Sequence, residues 1–323
     1  MKETSKHKEA KRIREIVSNF WISRIILTAN NLRVFDELEK PLTAKSVAKR
    51  LALDPRATEL LLNSLVSLKF LRKKGNRFIN TSTASKYLVR QSPFYLGDII
   101  RHNEVLWTNW SYLNEVVKTG KPANKAFELE SFILGMHNLA RLKKDILIKQ
   151  LNLKGIKRIL DLGGGPGTYS MEFAKRGKDV YLFDRPETLE IARTLIDKEG
   201  LGDRITLLQG DFLTDPIGSD YDMVLMSQIL HAYGKRDIKS LLKKTWKALN
   251  TSGILVIHEF YLDSTLTEPL TGAIFSINML VNTPQGRTYS VRELKEFLKG
   301  SGFKILGVHR LDDTVLIRSQ KRR

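Results

Sequence analysis

The chain has 323 residues, enough for two domains with cores of their own, and 42% of them are hydrophobic. Cysteine is absent, which excludes disulfides and thiolate metal sites and suits a cytoplasmic protein; the six histidines are scattered, so no metal is expected. No apolar run reaches the roughly 18 to 20 residues of a membrane span, and the Lys/Glu-rich start reads against secretion. The net charge of +19 raises the question of nucleic acid. Its Lys and Arg are interspersed with Glu along helical stretches, as on solvated faces, and gather in a basic tail, Arg318-Ser-Gln-Lys-Arg-Arg323, so nucleic acid is not the expected partner.

Residues 10–39 read as helical, with Ile13, Ile16, Val17, Phe20, Trp21, Ile25, Ile26 and Leu27 at helix-like spacing. Thr43 offers an N-cap for Ala44–Leu51, and Asp54-Pro55 opens a second helix over 55–68. Short strands at 70–72 and 77–80 follow, hinged at Lys74-Gly75-Asn76. Helix, turn, helix and hairpin make a winged-helix pattern, whose second helix would enter a major groove in a regulator. Here that helix carries one cation, Arg56, and is mostly apolar, which favours a structural or dimerising role over phosphate binding. Residues 90–150 read as a mostly helical bridge containing Trp107, Trp110, Tyr112, Phe127, Phe132, Met136 and His137.

Beyond residue 150, strands at 157–162, 179–183, 204–208, 221–227 and 253–260 alternate with helices at 168–176, 187–198 and 235–249. That alternation predicts a parallel sheet covered by helices on both faces. After a helix at 290–300, strands at 304–310 and 314–318 are separated only by Leu311-Asp312-Asp313. So short a connection cannot make a parallel crossover, so these strands are antiparallel neighbours.

The most informative stretch is Ile159-Leu-Asp-Leu-Gly-Gly-Gly-Pro-Gly-Thr-Tyr-Ser170. An apolar strand ends at an acidic residue, Asp161, and Gly163, Gly165 and Gly167 then open a turn into a helix. Missing β-carbons let a ligand lie against such a backbone, and the helix N-terminus offers free N–H groups. The spacing is not the Gly-x-Gly-x-x-Gly of pyrophosphate sites, and no Lys-Ser or Lys-Thr follows, which argues against a nicotinamide dinucleotide and a P-loop. Asp184 closes the next apolar run, where a ribose hydroxyl pair would be held, and Asp211 follows the third, just before Phe212. His231 comes after the apolar run 221–229, again at the sheet edge where open α/β sheets bind ligands.

On these residues the chain resembles the S-adenosylmethionine-dependent methyltransferases. More narrowly, it resembles the O-methyltransferase family that includes plant caffeate-type, acetylserotonin and bacterial hydroxyneurosporene enzymes. The resemblance is carried by Asp161-Leu-Gly-Gly-Gly-Pro-Gly, Phe183-Asp184, Gly210-Asp211-Phe212, Ile229-Leu230-His231 and Gly300-Ser-Gly-Phe303, and runs from about residue 15 to the C-terminus. It implies an α/β fold, a Rossmann-like and mainly parallel methyltransferase sheet ending in an antiparallel hairpin. It further implies a winged-helix dimerisation domain over 1–95, a helical substrate-pocket linker over 96–150 and an S-adenosylmethionine-binding domain over 151–323. The cofactor would be held by Asp161, Gly163, Gly165, Asp184, Asp211 and Phe212, with Ser227 standing where plant members carry a Lys that reaches the methionine carboxylate.

By the same resemblance His231 is the general base and Glu259 the carboxylate that orients it; strand alternation puts His258 on the opposite face. The role is chemically apt, because a phenol of pKa ~10 needs its proton removed and a histidine of pKa ~6.5 can accept it. Trp107, Phe132, Met136, Asn278 and Met279 are the expected acceptor contacts, in a homodimer assembled through the N-terminal domain. The chain departs from plant members at His231-Ala232-Tyr233, where they read His-Asp-Trp, at Ser227, and at Thr288, where a second carboxylate would flank the base. The backbone with Tyr169 or Arg101 would then hold the cofactor tail. The leading expectation is methyl transfer to a hydroxyl of a small planar or polyene acceptor. Carbon methylation of a tetrapyrrole-like acceptor, a decarboxylating or hydroxylating relative, and an S-adenosylmethionine-sensing DNA-binding regulator stay open.

Overall fold

The computed structural model describes residues 5–322; Arg323 of the basic tail lies outside the described residues. The chain divides into two compact units, Met1–Glu104 and Val105–Arg323.

In the first unit the helix expected over 10–39 is broken into α1 (Ser5–Ser18), α2 (Phe20–Asn31) and α3 (Val34–Glu37). The second break has a local cause. Buried Asn30 gives its amide to the Gly97 carbonyl at 3.0 Å, and Arg33 turns the chain at a left-handed φ of 58°. After β1 (Leu42–Thr43) come α4 (Ala44–Leu51) and α5 (Pro55–Ser67). Both start at the expected caps: the Thr43 hydroxyl accepts from Ser46 N–H at 3.1 Å and the Asp54 carboxylate from Ala57 N–H at 2.7 Å. β2 (Leu71–Lys74), one residue later than expected, pairs antiparallel with β3 (Arg77–Asn80), and α6 (Ser82–Tyr87) follows. The core collects Val34, Phe35, Leu38, Val47, Leu62, Leu65 and Phe78, all fully buried. Ala29 and Ile25 of α2 join this core, but the stripe of α1 and the first turn of α2 does not: Ile13, Ile16, Val17, Phe20 and Trp21 are 50–67% exposed.

α7 (Gly97–Trp110) leads into the second unit, where α8 (Leu113–Thr119) and α9 (Leu129–Gln150) precede the sheet. There β4 (Arg158–Leu162), α10 (Thr168–Lys175), β5 (Asp179–Asp184), α11 (Pro186–Lys198) and β6 (Ile205–Gln209) alternate. They are followed by β7 (Tyr221–Ser227), α12 (Lys235–Ala248), β8 (Leu249–Leu262) and α13 (Leu270–Asn282). Last come β9 (Tyr289–Ser290), α14 (Val291–Gly300), β10 (Phe303–Leu311) and β11 (Thr314–Lys321). The strand order is β10-β11-β8-β7-β4-β5-β6, with β9 beside the end of β8. β6 through β8 are parallel, whereas β11 runs antiparallel to both β8 and β10, as the short link between the last two strands requires. β8 is longer than the expected 253–260.

Alternation splits the apolar residues into two layers. Leu160, Leu162 and Phe183 pack with Ile238, Leu241 and Leu298 on one face, and Ile159, Val180 and Leu182 with Leu147, Phe173 and Ile196 on the other. The chain leaves β4 for β5 and β6 on one side, then returns to β7 and β8 on the other, so the topological switch point lies between β4 and β7. No helix of the described residues is long and apolar enough to cross a membrane.

Candidate functional site

The residues singled out in the sequence converge on the carboxyl edge of this sheet. After β4, Gly163 gives its N–H to the Phe183 carbonyl at 2.8 Å, tying the glycine turn to the end of β5. A β-carbon at Gly163 would fall 2.9 Å from Ile229 Cγ2 and 3.2 Å from Phe212 Cε1, so that side of the turn is closed by apolar groups. Gly165 differs: a β-carbon there would meet nothing within 4 Å, and its N–H donates to Asp184 Oδ2 at 2.8 Å. Asp184 Oδ1 accepts from Arg185 N–H at 2.8 Å; burial still pushes its carboxyl above the usual range. Asp161 is fully buried. Ser170 Oγ donates to its Oδ2 at 2.7 Å, Oδ1 has no partner, and burial pushes the carboxyl up to about 6.

Asp211 folds its own loop, accepting from Leu213 N–H at 2.9 Å, while Lys244 clamps the carbonyls of Phe212, Leu213 and Asp215 at 2.8 to 3.0 Å. The Phe212 ring stands edge-on to Tyr233 at 5.6 Å. Burial raises the pKa of Tyr233, on which Arg185, Asp211 and Asp184 all act, so this phenol marks space common to the two carboxylates.

Beside this cradle, His231 sits just beyond β7 and Glu259 on β8. Nδ1 of His231 lies 2.7 Å from Glu259 Oε2, and Glu259 Oε1 accepts from Leu230 N–H at 2.6 Å. Both carboxylate oxygens are thereby engaged in a group that is 1% exposed. An Nδ1–H donated to Glu259 leaves the lone pair on Nε2. The imidazole meets Phe275 of α13 perpendicularly at 4.9 Å and Phe260 at 6.4 Å, and its backbone carbonyl accepts from Arg287 N–H at 2.8 Å. Thr288, where a second carboxylate was expected, is 1% exposed and its hydroxyl has no partner.

The expected acceptor residues are dispersed. Trp107 is half-buried on α7, and Phe132 and Met136 are half-buried on α9, Phe132 beside Phe127 at 6.1 Å. Asn278 Oδ1 accepts from Trp110 Nε1 at 2.9 Å and from Asn282 Nδ2 at 3.1 Å, and Asn109 Nδ2 in turn donates to Asn282 Oδ1 at 2.7 Å. This polar seam joins α13 to α7. Met279 is buried, one turn of α13 beyond Phe275.

Sequence reasoning missed Phe275 and Phe260 against the imidazole, and gave Ser227 no partner among the strands. Ser227 Oγ lies 2.9 Å from His258 Nδ1, and the Tyr169 ring stands edge-on to that imidazole at 6.4 Å. His137 of the helical bridge places Nδ1 2.8 Å from Thr168 Oγ1 at the start of α10, and burial lowers its pKa to about 4. A histidine one residue before a strand-end carboxylate was the available signal for the first of these. Nothing in the spacing announced the second.

Known proteins share the chain's domain families and its fold. The O-methyltransferase domain family matches residues 95–304 and the O-methyltransferase dimerisation domain family residues 14–90. Acetylserotonin O-methyltransferase of Bos taurus is 29% identical over 94% of this chain and 94% of its own length. The 3-hydroxy-5-methyl-1-naphthoate 3-O-methyltransferase of Streptomyces sahachiroi is 29% identical over 89% and 88%. Human N-acetylserotonin methyltransferase, solved in complex with SAM, has the same fold, with a TM-score of 0.89 at 24% identity over 99% of both chains. With a family match over more than half its length, the chain belongs to the S-adenosylmethionine-dependent O-methyltransferase family.

Proposed function

We infer that the protein methylates a hydroxyl of a small planar or polyene acceptor, with His231 taking the hydroxyl proton. The observation that carries this reading is the 2.7 Å contact between His231 Nδ1 and a Glu259 fixed at both oxygens. The pair presets one tautomer and one ring orientation, so the basic Nε2 is ready before the acceptor arrives. As the proton reaches Nε2, Glu259 stabilises the imidazolium that forms. Phe260 and Phe275, 4.1 Å apart beside the imidazole, suit a flat substrate ring. The named relatives act on acetylserotonin and a hydroxynaphthoate, which supports an aromatic hydroxyl as the acceptor class.

The residues present fit the methyl donor. Gly165 leaves open space where a ligand can lie on the backbone, and the orphaned Asp161 Oδ1 asks for a donor or a cation. Asp184 and Asp211 would hold the ribose and adenine side, with Phe212 against the base, and Gly163, Asp161 and Ser227 would face the amino-acid tail. When bound, S-adenosylmethionine supplies a methyl group on a cationic sulfur. The chain's own task is to place the acceptor oxygen, exclude water and hold the proton at Nε2. Trp107, Phe132, Met136, Asn278 and Met279 are read as the walls of the acceptor side, from the 96–150 segment and α13.

The first unit is read as a winged-helix module that forms a homodimer. The family match over 14–90 and the bare apolar stripe of α1 and α2 support this. The absence of cysteine fits a cytoplasmic enzyme. Calorimetry with S-adenosylhomocysteine and a phenol panel assayed with labelled donor test the reading together. His231→Ala should lose about 10²- to 10⁴-fold in turnover with cofactor affinity unchanged. A fully active His231→Ala enzyme would remove the base from the mechanism.

A further inference from the structure

The helices over one layer of the sheet carry their charge differently from those over the other. On α9, α10 and α11 the cations are answered: Lys144 lies 2.5 Å from Glu172, Arg176 2.7 Å from the same carboxylate, and Lys175 2.7 Å from Glu199. α12 and α14 belong to the opposite layer, where Ile238, Leu241 and Leu294 pack inward. α12 holds six cations and one carboxylate, Asp237. Lys244 is turned to the loop carbonyls described above. Of the other cations on α12 and α14, only Lys235 and Arg292 form ion pairs among the described residues, with Glu293 at 3.6 Å and Glu296 at 3.7 Å.

Arg236, Lys239, Lys243 and Lys247 are all exposed. Three, four and four residues apart, they stand one above another on a single helix face. Like charges at this spacing repel and weaken the helix that carries them. α14 packs against α12 and continues the patch with Lys295 and Lys299. Its carboxylates are withdrawn: Glu293 closes a capping box with Ser290 and takes Arg287 at 2.6 Å, and Glu296 answers Arg292. Two adjacent helices thus present cations whose possible partners are already engaged.

We propose that this face docks on an anionic lipid bilayer. The inference concerns where the chain works and does not depend on the methyl acceptor. Five of the six unpaired cations are lysines, which are hydrated point charges, whereas nucleic acids are gripped by Arg forks and stacking aromatics. Neither helix exposes an aromatic ring: Trp246 of α12 lies under Lys321 Nζ at 4.3 Å, and Phe297 of α14 is buried. The patch therefore matches a plane of negative headgroups, which asks for charge alone.

Each cation held near such a surface strengthens partition about fivefold. Sedimentation of the full chain with extruded vesicles tests the proposal. Vesicles of one part phosphatidylserine to two parts phosphatidylcholine should carry the native chain down, and pure phosphatidylcholine should not. Binding should fade as salt rises from about 0.1 M to about 1 M, where the screening length falls from about 10 Å to about 3 Å. Lys239→Gln, Lys243→Gln and Lys247→Gln together should weaken it about a hundredfold at an unchanged melting temperature, since Gln is as good a helix former as Lys. Lys118→Gln, Lys121→Gln and Lys149→Gln, which remove the same charge elsewhere on the surface, should cost about threefold at most. Equal losses in the two triple variants would show that net charge alone acts and would overturn the docking face, as would equal binding to both vesicles. Duplex DNA that binds more tightly than the vesicles at the same salt, and is lost with the same α12 substitutions, would reassign the face to nucleic acid and overturn the lipid proposal.

Discussion

Asp161, proposed for the donor site, carries a cost in the fold. Its carboxyl is raised from 3.8 to about 6 because burial, with the nearby Asp184 charge, outweighs hydrogen bonding from Ser170. A carboxyl whose folded pKa exceeds its unfolded one favours the fold while protonated in both states. That contribution is complete below about pH 4 and is lost as pH climbs through about 6, a swing of up to about 3 kcal/mol. Asp161→Asn should therefore melt higher than the native chain at pH 7.5, by about 2–4 °C per kcal/mol recovered, and lose that advantage at pH 4. The same variant should bind S-adenosylhomocysteine more weakly. Equal melting gains at both pH values would show that the charge is not the cause. Asp161 was legible in the sequence because an acidic strand end before glycines is a local pattern. The bonding of His258 was not, because its partners Ser227 and Thr314 lie 31 and 56 residues away and meet it only through strand register.

The glycine turn separates open space, proposed for the donor, from core packing within a few residues. Gly165 has φ 54° and an open β-carbon position, whereas a β-carbon on Gly167, at φ 70°, would stand 3.0 Å from Leu182 Cδ2 and 3.3 Å from Ile196 Cδ1. Both substitutions by Ala force a left-handed residue, which costs about 1–2 kcal/mol. Gly165→Ala should stop near that cost in chemical denaturation yet reduce S-adenosylhomocysteine affinity at least tenfold, since the methyl group occupies ligand space. Gly167→Ala should destabilise by more, because a packed layer must also give way. Equal denaturation midpoints for the two would contradict this division. At this scale the strand directions were predicted well, but not their order in the sheet: alternating strands and helices set a parallel sheet, and a three-residue link forced the last hairpin. The breaks in the helix over 10–39 were missed, because a continuous apolar stripe conceals the pin that Asn30 makes to Gly97.

At the scale of the molecule, the first unit keeps five large apolar side chains of α1 and α2 at 50–67% exposure. Burying what remains exposed of each would stabilise an interface by about 1–2 kcal/mol, a substantial sum over both copies. Ile16→Glu combined with Trp21→Glu should halve the mass measured by light scattering and leave S-adenosylhomocysteine binding in place. An unchanged dimer would move the interface elsewhere.

The sequence by itself determined the succession of strands and helices, the mainly parallel sheet with its antiparallel end, and the glycine turn and strand-end carboxylates proposed for the donor site. All of these follow from short-range patterns: period-two alternation, residues that tolerate left-handed turns, and charge at strand ends. Only the tertiary structure decided which groups face one another across β4, β7, β8 and β11. The Glu259 clamp on His231, the aromatic pair beside it and the polarity of the Ser227–His258–Thr314 chain depend on register between strands distant in sequence. The Leu311 carbonyl at the far end, which can only accept, fixes every proton in that chain, and no local window of residues contains both ends.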